Sequence, residues 1–161
     1  KEDFPSWLYQ VKAGATTIWE HWDGVKPDGT MWSPDMNSFN HYAYGAIGEW
    51  LYRAAAGINT EEDAPGFKRS VLHPIPGGNL AWLNARYASV YGDIRVHWTQ
   101  ETAQEGQTIT LEVEIPANTR STLVLDRAHT LLETDGLDFT PSPAGYCAEV
   151  GSGRYRVIFL R

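Results

Sequence analysis

The stretch Thr108–Pro116, TITLEVEIP, alternates apolar and polar residues without a break. Ile109, Leu111, Val113 and Ile115 fall on one side of an extended chain, and Thr110, Glu112 and Glu114 on the other, because successive strand residues point to opposite faces. That is the pattern of a strand with one face on a core and one in water. Outward from it, β-type runs recur as SVLHPI, LAWLNARYAS, GDIRVHWTQE, STLVLD and RYRVIFL, broken by Gly, Pro and Asn. Many short strands at such spacing predict an antiparallel β-sandwich over residues 67–161, a length that supports its own core.

Composition sets the outer limits. The chain has 161 residues, 42% of them hydrophobic, and a formal net charge of -7 from 20 acidic and 13 basic residues. No Lys/Arg-rich run is present, which argues against nucleic acid as a partner. No apolar run approaches the roughly 20 residues of a membrane-spanning helix. Cys147 is the only cysteine, so neither an internal disulfide framework nor a thiolate metal site is expected. The opening KEDFPSW has no Met and no signal-peptide character. The chain is therefore expected to be a fragment, and its compartment is left open.

Ahead of the strands the period changes. PSWLYQVKAG has Pro5 near a helix start and Gly14 as a C-cap, with Trp7, Leu8 and Val11 on one face. SFNHYAYGAIGEWLYRAAAGI repeats apolar residues at three- and four-residue steps, from Phe39 and Tyr42 through Ile47, Trp50 and Leu51 to Ala54. It predicts an amphipathic helix over about 38–56, capped by Ser38 or Asn40, ended by Gly57 and burying Ile47, Trp50 and Leu51. Asn59–Gly66, NTEEDAPG, reads as a linker. Two helices are too few to close a helical domain. Part of their apolar surface is expected to be exposed or covered by another copy of the chain.

Between those helices lies GATTIWEHWDG, Gly14–Gly24, inside a long connection rich in turn formers: Pro27, Asp28, Gly29, Pro34 and Asn37. β-Branched Thr16, Thr17 and Ile18 in a row disfavour a helix start, and a loop this long in a compact domain is usually functional or disordered. Its tryptophans argue against disorder. Trp7, Trp19, Trp22, Trp32 and Trp50 all fall in the first third of the chain. Aromatic faces beside carboxylates suit a sugar, whose ring has an apolar C–H face and whose hydroxyls take polar partners. Core packing is the competing reading for any one of them. Glu20 and Asp23 are both candidate bases here, although Asp23 precedes Gly24 and fits a turn. His41 reads either as a capping or packing histidine or as a hydrogen-bond partner for a ligand.

Other chemistries find less support. His21, His41, His73, His97 and His129 are scattered without metal-ligand spacing. No nucleophile elbow is present, and Gly77-Gly78 lacks the helix and lysine of a phosphate loop. No metal and no cofactor are expected.

The motif pair GATTIWEHWDG and SFNHYAYGAIGEWLYRAAAGI resembles the end of the catalytic domain of bacterial α-L-rhamnosidases of glycoside hydrolase family 78. The run PGFKRSVLHPIPGGNLAWLNARYASVYGDIRVHW, with LEVEIPANTRSTLVL, resembles the β-sandwich that closes those chains. The resemblance implies an α+β chain in two segments. The last helices of an (α/α)6 barrel occupy residues 1–58, a linker 59–66 and a C-terminal β-sandwich 67–161. It implies an inverting hydrolase that releases terminal rhamnose, with Glu20 as general base and His41 in contact with the rhamnose. Trp19 and Trp22 are then expected to bind substrate beside Glu20. The family's general acid belongs to a motif upstream of residue 1, so this chain alone is expected to be inactive. Its expected partners are rhamnose-containing glycosides, the upstream part of its own protein and a second copy of the fragment. Two other readings stay open: a non-catalytic carbohydrate-binding or scaffold module, and another inverting enzyme on a similar barrel, such as a fucosidase-like hydrolase.

Overall fold

The structure is a computed structural model that describes residues 2–104 and 106–161. The chain forms two compact units, Lys1–Gly48 and Glu49–Arg161.

The second unit is a β-sandwich. Its strands are β1 (Ile58–Thr60), β2 (Arg69–Leu72), β3 (Trp82–Ser89), β4 (Gly92–Thr102), β5 (Gln107–Ile115), β6 (Arg120–Leu125), β7 (Thr130–Glu133), β8 (Thr140–Ser142), β9 (Gly145–Val150) and β10 (Gly153–Leu160). One five-stranded sheet has the order β1-β2-β6-β9-β8 and the other β3-β4-β5-β10-β7. The alternation in TITLEVEIP carries through to the core: Ile109, Leu111, Val113 and Ile115 are all buried, while Glu112 is exposed. They meet Ile94, Val96 and Trp98 of β4 and Val157 and Phe159 of β10. Leu72, Leu123, Leu125 and Val150 of the facing sheet complete the cluster.

One pairing departs from the antiparallel expectation. β2 lies parallel to β6, with Arg69 opposite Arg120 and Leu72 opposite Leu123. Parallel neighbours need a crossover of a dozen or more residues, and here strands β3, β4 and β5 of the other sheet supply it. The buried hydroxyls of Ser70 and Ser121 hydrogen-bond across this pair at 2.6 Å. The linker expected at 59–66 opens inside β1, because Ile58 is buried and Asn59 and Thr60 pair with Val71 and Ser70.

The helical stretch before β1 differs from its expectation as well. It begins at Tyr42 rather than Ser38 or Asn40, as a 3₁₀ turn over Tyr42–Ala46. An α turn follows over Ile47–Trp50 and a π turn over Leu51–Ala55. Ile47, Trp50 and Leu51 are 53%, 55% and 45% exposed, not buried. Apolar periodicity marks the face that seeks a neighbour, and among the described residues no element covers it. Only the far end is enclosed. Ala55 and Ala56 are buried, and the indole N–H of Trp98 donates to the Ala55 carbonyl at 2.9 Å. Gly57 then turns the chain at φ 73°, and a Cβ there would lie 2.1 Å from the His73 carbonyl carbon. Only glycine fits both the backbone conformation and that approach.

In the first unit, α1 spans Trp7–Lys12, and the Ser6 hydroxyl at its N-cap accepts from the Tyr9 N–H at 3.1 Å. Trp7, Leu8 and Val11 share a face that is largely open, and Gln10 is the buried residue. The helix is held through Gln10 because that side chain serves the loop described next.

Candidate active site

The long connection is ordered by polar bonds to its own two ends. The Gln10 side chain donates to the His21 carbonyl at 3.1 Å, and the Tyr9 hydroxyl to the Val25 carbonyl at 2.9 Å. α1 thus pins both sides of the His21–Val25 segment. On the other side, the Glu20 N–H donates to the Ser38 carbonyl at 2.8 Å and the His41 N–H to the Ile18 carbonyl at 2.7 Å. The Thr17 hydroxyl reaches the Phe39 carbonyl. Residues 17–20 and 38–41 are therefore tied to each other.

The intervening turn closes on itself. Lys26 N–H donates to the Thr30 carbonyl at 2.8 Å. Asp28 accepts from the Thr30 hydroxyl at 2.7 Å and its backbone N–H at 2.9 Å. Those bonds hold the Asp28 carboxyl below its ordinary range. They account for Asp28 as a turn residue, as its place in the sequence predicts.

Trp19 is the floor of this unit. It is 6% exposed and meets Phe39 edge-on at 5.2 Å between ring centroids. Gly24 lies directly on it: a Cβ there would come within 3.3 Å of the indole and 3.1 Å of the His21 carbonyl oxygen. The glycine that closes the motif thus lets the backbone pack closely on the indole.

Above that floor opens a pocket of about 360 Å³ lined by Pro5, Trp7, Glu20, His21, Trp22, Asp23 and Tyr44. Trp7 and Trp22 lie 6.1 Å apart at 57°, and Tyr44 meets Trp7 edge-on at 5.9 Å. All three rings keep exposed surface. The Glu20 side chain is 31% exposed, and its Oε1 lies 4.0 Å from Nε2 of His21. The His21 ring stacks on Trp32 at 3.9 Å and 17°. A carboxylate with access to water, flanked by an imidazole and an aromatic wall, can accept a proton from water beside an apolar ring face.

Of the residues singled out from the sequence, Glu20 and Trp22 share this pocket, and Asp23 lines it with them. Trp19 lies beneath and offers no open face. His41 does not line the pocket; its ring sits 5.4 Å from that of Tyr44, which does. It occupies the N-cap position of the 3₁₀ turn without a side-chain capping bond, which removes the capping reading. Trp7 and Tyr44 are pocket residues that spacing alone did not single out. The signal for Trp7 was its membership of the tryptophan-rich first third, masked by its place on a helix face. Among the described residues, no three His, Cys, Asp or Glu side chains converge as a metal site, and no helix is long and apolar enough to cross a membrane.

The whole chain is similar to known proteins. The family described as bacterial alpha-L-rhamnosidase C-terminal domain matches residues 57–138. The bacterial alpha-L-rhamnosidase 6 hairpin glycosidase domain matches residues 1–55. An α-L-rhamnosidase of Streptomyces avermitilis is 37% identical over 155 residues, 95% of this chain and 14% of its own length. One from Formosa agariphila is 36% identical over 140 residues, 86% of this chain and 14% of its own. The solved structure of the Streptomyces avermitilis enzyme in complex with L-rhamnose superposes with a TM-score of 0.77 at 36% identity. It covers 100% of this chain and 15% of that one. The native α-L-rhamnosidase of Aspergillus terreus gives a TM-score of 0.76 at 34% identity, covering 98% and 16%. The chain thus spans about one seventh of the length of these relatives.

Proposed function

Because the chain belongs to the bacterial α-L-rhamnosidase family, we propose that it is the part of an inverting glycoside hydrolase that carries the general base, Glu20. The whole enzyme would release terminal α-L-rhamnose from glycosides or oligosaccharides. In that enzyme residues 1–58 form the last helices of an (α/α)6 barrel, 59–66 the connection and 67–161 the closing sandwich. The exposed Ile47, Trp50 and Leu51 then pack against upstream helices of the same protein, or against a second copy when the fragment is isolated.

One observation carries this reading: Glu20 and Trp22 open onto a single pocket with Trp7 and Tyr44 as its aromatic wall. In an inverting displacement, a carboxylate takes a proton from a water that attacks the anomeric carbon on the face opposite the leaving group. Glu20 has the needed access to water and an apolar surface for the sugar ring beside it. Trp22 stacks on that ring, Trp19 holds the loop from below, and His41 reaches a sugar hydroxyl over Tyr44. The partner carboxyl, the general acid, lies outside these residues. The isolated chain should therefore turn over aryl α-L-rhamnosides far more slowly than an intact enzyme, since such proton transfer contributes about 10²–10⁴-fold.

Asp23 lines the same pocket, so the two carboxylates must be separated by experiment. In the complete enzyme, Glu20→Gln should lose most of kcat with little change in KM, and Asp23→Asn should lose much less. The reverse ranking would move the base to Asp23. Turnover of aryl α-L-fucosides in preference to rhamnosides would replace the substrate assignment.

A further inference from the structure

We propose that the outer face of the sheet β3-β4-β5-β10-β7 is a second carbohydrate-binding surface, built for a neutral oligosaccharide. The face carries a groove of about 650 Å³. Its floor is a straight cross-strand row, Asn84 opposite His97, His97 opposite Glu112, and Glu112 opposite Arg156. At the ordinary inter-strand spacing this row runs about 14 Å, the reach of a short oligosaccharide rather than one ring. It sets Glu112, which only accepts, among side chains that can donate, and sugar hydroxyls do both.

The neighbouring row is satisfied internally. Asp93 accepts from Arg86 and from Arg95, each at 2.7 Å, and Glu114 takes Arg95 and Arg154 at 3.5 and 3.4 Å. In the floor row only Arg156 is paired among the described residues, with Glu133 at 3.3 Å. Among the described residues Glu112 forms no ion pair, and Nδ1 of His97 is buried with no hydrogen-bond partner. The exposed Glu112 carboxylate is free to accept from the hydroxyls of a ligand lying on this face.

Charge decides the class of ligand. Arg95, Arg154 and Arg156 line the groove together with Glu112, Glu114 and Asp135, so it carries no net charge and its arginines already hold carboxylates. An acidic ligand would have to displace those pairs, whereas a neutral polyol need not. Trp82 stands two residues from Asn84 on the same face of β3 and is 63% exposed. It supplies the flat apolar platform that a pyranose face takes. The groove shares no lining residue with the Glu20 pocket, so this inference stands or falls separately from the assignment of the base.

The test is a titration of the ¹⁵N-labelled chain with maltotriose, a neutral rhamnose-terminated trisaccharide and trigalacturonate, followed by amide and indole shifts. At least one neutral probe should move the Trp82 indole and the amides of Asn84, His97, Glu112 and Arg156, with little dependence on salt. Trp82→Ala and Asn84→Ala should each weaken that binding by about fivefold, and Trp22→Ala should leave it unchanged. Glu112→Gln, which keeps the side-chain shape, repeats the test should either exposed variant disturb the amide spectrum. The proposal is overturned by any of three results: no shift on this face at millimolar probe, tighter binding of trigalacturonate than of the neutral probes, or indifference to all three groove variants.

Discussion

Trp98→Phe should destabilise the sandwich unit by about 2–4 kcal/mol. Trp98 has no exposed surface and sits in the main core cluster. Its indole N–H donates to the carbonyl of Ala55, itself buried, at 2.9 Å. Phenylalanine removes that donor and leaves a buried acceptor unpaired, which costs about 1–3 kcal/mol. The smaller ring adds the loss of part of a bicycle from a packed site, about 1 kcal/mol or more. For a unit of this size the sum lowers the thermal midpoint by about 10 °C. Trp82→Phe makes the same chemical change at a residue 63% exposed, and should stay within about 0.5 kcal/mol. Urea unfolding followed by far-UV circular dichroism, with amide exchange at β5 reporting the sandwich, measures both. Equal effects of the two variants would refute the reasoning, because the difference rests on burial and the Ala55 bond alone.

Four further outcomes are expected. Gly57→Ala should cost more than about 2 kcal/mol in the same unfolding assay, since it joins a left-handed backbone to a collision with the His73–Pro74 peptide; a neutral result would mean that approach is absent. His129 is buried against Phe159 at 4.6 Å. That burial pushes its pKa below the ordinary imidazole value, with Asp126 opposing and Arg161 and His73 adding to it. The unfolded chain then binds a proton near pH 6.5 that the folded chain does not, so this contribution is present above that pH and lost as pH falls below it. His129→Phe should flatten the decline in stability on acidification. Trp22→Ala should weaken L-rhamnose binding to the complete enzyme, read by calorimetry, while Trp32→Ala, which unseats His21, should lower kcat more than it raises KM.

Legibility in the sequence followed the strength of local pattern. β5 was plain because each buried side chain is followed by a polar or turn-forming one, and β10 because RYRVIFL is a short run rich in β-branched and aromatic residues. β4 carries the same signal through Ile94, Val96 and Trp98. β7, β8 and β9 escaped because Gly136, Pro141, Pro143 and Gly145 break their runs, and Pro141 stands in an edge strand, where proline is tolerated. β1 lay hidden at the end of a helical pattern. The parallel β2–β6 pair follows from the order of connections, which side-chain alternation does not encode. The helical stretch shows the opposite failure: its apolar steps are real, but they mark a surface that needs a partner rather than one buried here. In the pocket, Glu20 and Trp22 were legible as a carboxylate among aromatics. Trp7 and Tyr44 join them through the tie of the Gln10 side chain to the His21 carbonyl and the backbone tie of His41 to Ile18, which no spacing rule anticipates.

The most direct test of the central claim is the product formed by the complete enzyme carrying Glu20→Gln when azide is added to an aryl α-L-rhamnoside. The amide keeps the size of the carboxylate but takes no proton, so kcat should fall by about 10²–10⁴-fold. Azide needs no base, so turnover should recover in part, and the product should be the β-configured rhamnosyl azide of a single inverting displacement. Normal turnover of Glu20→Gln without azide, or an azide product that retains the α configuration, would contradict the assignment of Glu20 as the base of an inverting enzyme.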